Sequence, residues 1–328
     1  MQHQPSPENP KRLSALGKVS LGSSDLYYSA KVLITTLVLT VALGSLVQNA
    51  VMKVDASTAS AVPHEVLDHV IDGIKDAERA QYLYERIERI ETRKQAGDPN
   101  PLSVKVSRVI PAGTGIAKIT LGPDGKPSDA DAYRAELDKL LKSLAWAVQT
   151  GQPQREAYQK VQKKQKDRDE LIDATRNAFL FSYLGQETRG DRTLSKYKMM
   201  PNPAFKPTNR ATSIFTRVKG SLWVDDAAQQ LARVEGEVTE DISLGLFLAK
   251  VYKGSRFLQD RYEMAPGLWL PSFSQYDFDG RKFFSSFSVH ERTFYSEYKR
   301  IGSPAEAIPR IQSELSLLNS PKSKPTSD

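Results

Sequence analysis

Val32–Met52 (VLITTLVLTVALGSLVQNAVM) contains no charged side chain and is bracketed by Lys31 and Lys53. As a helix the stretch is just long enough to cross ~30 Å of hydrocarbon. Its denser core, Val32–Val47, has the length of a long signal-peptide h-region. Both readings export whatever follows, and Lys11, Arg12, Lys18 and Lys31 ahead of it favour a cytoplasmic N-terminus. Ala59-Ser60-Ala61 has the small-x-small form of a cleavage site but stands well beyond the apolar core. Gln48-Asn49-Ala50 is closer, with a poorer first residue. A cleaved leader and an uncleaved anchor therefore both stay open, beside a third reading, a buried helix of a cytosolic protein, which Thr35, Thr36 and Thr40 would suit.

The remainder has the makings of a folded domain. With 328 residues and 39% hydrophobic ones, the chain can bury one large core or two modest ones. The net charge of +7 is spread thinly along a sequence in which acids and bases alternate, so no basic stripe marks a nucleic-acid partner. There is no cysteine, which excludes disulfides, thiol nucleophiles, thiolate metal sites and N-terminal lipidation. The four histidines, His3, His64, His69 and His290, are too scattered for a metal cluster, and no cofactor is expected.

Hydrophobic spacing predicts the elements. Val66, Leu67, Val70, Ile71 and Ile74 mark an amphipathic helix from His64 to about Ala80. Residues 82–90 mix aromatic, β-branched and charged side chains and fit helix or strand. Val104–Ile110 and Ile116–Leu121 read as strands before the turn at residues 122–127. Ser128 with Asp131 resembles a helix cap, and Leu137, Leu140, Leu141, Leu144 and Val148 line one face of the helix that follows. Gly151-Gln152-Pro153 breaks it. A second, highly charged run reaches about Ala178, so residues 128–178 read as a helical hairpin set apart from the sheet. Its Lys160–Lys166 cluster is read as a solvated face.

From residue 179 the texture changes to short β-branched and aromatic runs at Phe179–Leu184, Leu194–Met199, Ile214–Asp225, Leu231–Val238, Phe257–Met264, Trp269–Phe273 and Phe283–Tyr298. These imply a meandering antiparallel sheet with a hairpin turn between Asp225 and Gln230. The tail from Ser303 shows one weak amphipathic turn and then a polar end expected to be disordered.

No nucleophile elbow, zinc motif or phosphate-binding loop is present, and no enzyme activity is expected. The Asp225-Asp226 and Asp277/Asp279 pairs read as turn residues. What stands out is a stock of large apolar side chains. Trp223, Leu244, Phe247, Leu248, Trp269 and Phe284 are the candidate lining of an apolar cavity, with Leu244–Leu248 as its cover; an ordinary core is the competing account.

Several phrases resemble exported bacterial proteins of the outer-membrane lipoprotein-sorting (LolA-like) superfamily: Pro201-Asn202-Pro203 with Phe205-Lys206-Pro207, Gly220–Asp225, Leu244–Ala249 with Lys253-Gly254-Ser255, Leu268–Pro271, and Tyr295–Tyr298. The match is good over about 175–300 and looser over 64–175. The resemblance implies an α+β fold: a strongly curved antiparallel sheet, an incomplete β-barrel, plugged by helices. The expected order is a polar leader at 1–31, a signal peptide or transmembrane anchor at 32–61, the half-barrel domain at 62–302 with its hairpin at about 128–178, and a tail at 303–328. The expected role is a periplasmic or inner-membrane-anchored binding protein for lipid or lipoprotein acyl chains, membrane-associated through 32–52 if uncleaved. The alternative is an envelope scaffold that fills its half-barrel with its own side chains and meets a protein partner.

Overall fold

The computed structural model describes residues 63–244, 249–283 and 285–319, without the side chains of His64 and Leu244. The expected leader, the Val32–Met52 segment and the last nine residues lie outside these. No helix among the described residues is long and apolar enough to cross a membrane.

The chain opens with helix α1 (His64–Ala80), which a 3-10 turn at Gln81–Leu83 leads into strands β1 (Tyr84–Thr92), β2 (Ser103–Pro111) and β3 (Ile116–Leu121). Helices α2 (Ala130–Ala147) and α3 (Gln152–Ala178) follow. Then come β4 (Phe179–Arg189), β5 (Arg192–Pro201), a 3-10 helix at Thr212–Arg217, β6 (Val218–Asp225) and β7 (Gln230–Val238). The short pair β8 (Ile242–Leu244) and β9 (Ala249–Val251) precedes β10 (Arg256–Ala265), β11 (Leu268–Lys282), β12 (Ser285–Arg300) and helix α4 (Pro304–Asn319). All strand pairs are antiparallel, in the order β3-β2-β1-β12-β11-β10-β7-β6-β5-β4, and the sheet is strongly curved and unclosed. The pairing of β1 with β12 joins the N-terminal meander to the rest.

Directly paired residues point to the same side of a sheet, so the register assigns the faces. Val106, Arg89, Phe294, Phe273, Asp260, Arg233 and Trp223 form one such row from β2 across to β6. Leu222 and Val224, flanking Trp223, point the other way, to the inner face. There α1 (Leu67, Val70, Ile71, Ile74) and the end of α3 (Ile172, Ala178) pack with Phe179, Phe215, Val234 and Phe257 in the largest core. Val106 belongs to the outer face, where α2 (Leu137, Leu140, Leu144) and α4 (Ala307, Ile311, Leu315) cover β2 and β3. Helices thus lie on both faces: α2 and α4 over β2 and β3 on the outer one, α1 over β7 and β11 and α3 against β4 on the inner one.

Residues 128–178 form two helices, but not a hairpin beside the sheet. α2 packs on α4 and β3, whereas α3 packs on α1, β4 and the 3-10 helix. The charged run of α3 explains the difference. Arg168, Asp169, Asp173 and Arg176 meet Glu78, Arg79, Lys75 and Asp68 of α1, three of the contacts at 3.0 Å (Asp169–Arg79), 2.5 Å (Asp173–Lys75) and 2.6 Å (Arg176–Asp68). Lys160, Gln162, Lys163, Lys164 and Lys166 are exposed, as the sequence suggested. Asp129, not Ser128, caps α2, accepting from the amides of Asp131 and Ala132 at 2.9 and 3.0 Å. The first residues of the expected Ile214–Asp225 strand are a 3-10 turn. The expected weak turn of the tail is a full helix, α4, started by the reciprocal bond from the Ser303 amide to Glu306 Oε2 at 2.7 Å.

Candidate functional site

Beyond the reach of α2 and α4, no helix among the described residues covers the outer face of β4–β7, β10 and β11, and two adjoining features occupy it. The first is an aromatic and cationic patch. Trp223 packs with Leu194, Ala232 and Trp269, and all four are buried. Lys196 Nζ lies 4.5 Å and the Arg233 guanidinium 5.2 Å from the centre of the Trp223 ring, and Arg192 lies 4.8 Å from that of Trp269. Such contacts contribute ~0.5–2 kcal/mol each as water is excluded. Arg192 also bridges Asp225 (3.0 Å) and Glu263 (2.5 Å). Both indole N–H groups are buried and make no hydrogen bond among the described residues.

The second feature is a groove of about 520 Å³ one step along the strands, within the ~300–1,000 Å³ usual for small-molecule sites. Its central row is Lys198, Ser221, Glu235, Leu258 and Gln275, paired residue to residue across β5, β6, β7, β10 and β11. Leu184 and Met200 rise beside it, 54% and 37% exposed. Gly220 and Gly236, paired across β6 and β7, floor it. A Cβ on Gly220 would sit 2.0 Å from the Glu235 carbonyl oxygen, and one on Gly236 would sit 2.4 Å from Cζ of Phe257, whose ring fills the space from the inner side. Close approach of backbone and ring demands glycine at both positions. Lys219, Glu237 and Arg256 complete the rim.

The inner face carries a buried polar network at the end of α1. Glu78 is paired with Arg168, accepts from Gln81 Nε2 at 2.9 Å, and lies 4.0 Å from Arg261. Arg261 donates to the Gln259 side chain (3.2 Å) and the Trp269 carbonyl (3.4 Å). Burial pushes its pKa below the ordinary arginine value, with Glu78 opposing. On β1, burial would raise the Glu88 carboxyl, but Arg86 (2.6 Å) and Lys118 (2.7 Å) more than offset it and hold it below the usual range. The Glu78 part of this network ties helix to sheet.

Of the residues singled out in the sequence, the structure brings Trp223 and Trp269 together, on the outer face and closed over by cations rather than lining an inner cavity. Leu244 ends β8, and Phe247, Leu248 and Phe284 lie outside the described residues. Asp225 does stabilise its turn, accepting from the Ala228 amide at 2.7 Å. Asp277 and Asp279 do not: both lie in β11. Asp277 sits 3.2 Å from His290 Nδ1 and 3.0 Å from Arg292 Nη1, and Asp279 accepts from Ser288 at 2.6 Å. No group of side chains among the described residues has the make-up of a metal site. Sequence reasoning passed over the groove residues Lys198, Lys219 and Leu258. The signal was the small-residue pair Gly220 and Gly236 at matching places in consecutive strands.

No family model matches the chain, and no curated protein or solved structure matches it either.

Proposed function

We propose that the chain is a non-enzymatic binding protein of the bacterial envelope, exported by its Val32–Met52 segment, and that it takes an acyl chain of a lipid or lipoprotein in the outer-face groove. The observation that carries this reading is the cluster of exposed Leu184 and Met200 with half-buried Leu258 around a glycine floor in a pocket of about 520 Å³. Apolar contact of this kind is non-directional and accommodates chains of varied length. A strongly curved, open sheet is also the form that membership of the LolA-like superfamily would entail, which lends support from the sequence side. The test is titration with a fluorescent fatty acid. Leu258→Glu is expected to weaken binding at least tenfold, and a wild-type protein that binds no probe overturns the proposal. One observation favours the alternative, an envelope scaffold: Leu67, Val70, Ile71 and Ile74 of α1 are each at most 1% exposed, so that stretch of the inner face is already filled by the protein's own side chains.

A further inference from the structure

The charges around the groove are unequally matched. Glu235 lies 3.6 Å from Arg233 and Glu237 lies 3.7 Å from Arg256, so each acid on the rim has a guanidinium beside it. Lys198 and Lys219, both exposed, have no ion-pair partner among the described residues, although Glu237 stands directly across from Lys219 in the register. Lys198 pairs with Ser221, which places Lys219 diagonally from it on the neighbouring strand. Diagonal neighbours stand ~7–8 Å apart at the backbone, and two flexible four-carbon stems close that gap around one small anion. The two ammonium groups stand beside the apolar wall of Leu184, Met200 and Leu258.

On these grounds we infer that the occupant of the groove is a free fatty acid, its carboxylate held between Lys198 and Lys219 and its chain laid over Leu184, Met200 and Leu258. The inference rests on the acyl-binding reading above and adds the head group to it. A single negative charge suits the site better than a phosphate dianion, because Glu235 and Glu237 stand in the same groove. Placing the carboxylate at the exposed lysines keeps it hydrated and avoids the cost of burying an unpaired charge.

The experiment is photolabelling of the full chain with a diazirine-bearing palmitate, followed by peptide mapping. Labels are expected in the peptides that carry Leu184, Met200 and Leu258. Unlabelled palmitate should compete at least tenfold better than hexadecanol or a single-chain phosphomonoester, an advantage that shrinks as salt screens the charges. The double reversal Lys198→Glu/Lys219→Glu should abolish that preference while the far-UV circular dichroism stays unchanged, and Lys198→Arg/Lys219→Arg should retain it. If the groove is labelled but hexadecanol competes equally, or the reversal changes nothing, the head-group assignment falls and the acyl-binding reading stands. Better competition by the phosphomonoester replaces the carboxylate with a phosphate. If no label maps to the groove, both readings fall.

Discussion

Glu78 is the acid on which Arg168, Gln81 and Arg261 converge under the end of α1. Replacing it with Gln leaves the fully buried Arg261 without its counter-charge. Breaking a buried pair from one side costs ~3–5 kcal/mol, and chemical denaturation of Glu78→Gln is expected to show a loss of that order. Gly236→Ala forces a methyl group into the Phe257 ring, so an overpacking cost of ~1–3 kcal/mol is expected by the same measurement. Residues of this kind differ in how far sequence discloses them. The inward direction of Leu222 and Val224 is legible in the sequence from their alternation with Lys219 and Ser221. The same alternation assigns Trp223 to the opposite face, yet its hydrophobicity suggested the interior. Trp223 is buried on a face that no described helix covers, because the cations that shield it come from two other strands, at a distance that no local pattern encodes.

Among the elements, α1 was legible end to end because its five apolar positions keep a single helical phase. α3 was legible as a helix, but not in its place. Its few apolar residues understate a contact made largely of ion pairs with a helix some ninety residues earlier in the chain. Deleting 128–175 therefore removes Ile172 and Thr175 from the core and uncovers α1, and the expected outcome is loss of cooperative unfolding rather than a trimmed, stable sheet. At α4, the Ser303 amide and Arg300 hold the Glu306 carboxyl down to about 2. A depressed carboxyl contributes stability above its unfolded value of ~4.3 and loses it as pH falls towards 2. The protection of the first turn of α4 against hydrogen exchange, taken relative to the intrinsic amide rate at each pH, is expected to fall over that window, and Glu306→Gln to remove that fall.

For the whole molecule, the antiparallel character of the sheet was legible in the spacing of its strands, and its strong curvature was an implication of the motif resemblance. The helices on its outer face were not, since hydrophobic periodicity says that a helix needs cover without saying which face supplies it. The proposed export is tested at the same scale: a reporter active only in the periplasm, fused after Asp328, is expected to be active, and activity of a cytosolic reporter instead argues against it. The joint between β1 and β12 bears on when the molecule can fold at all. Tyr84 meets Arg300 and Thr92 meets Glu291, so two segments at opposite ends of the domain must find each other before the sheet is continuous. Closing so long a loop is entropically late and keeps folding slow. A nascent chain that has not yet released its last strand has no completed sheet to resist unfolding, and a truncation after residue 283 is expected to show no cooperative transition. Were the chain exported as proposed, the same topology would keep the polypeptide threadable through a translocation pore until its last strand has been made.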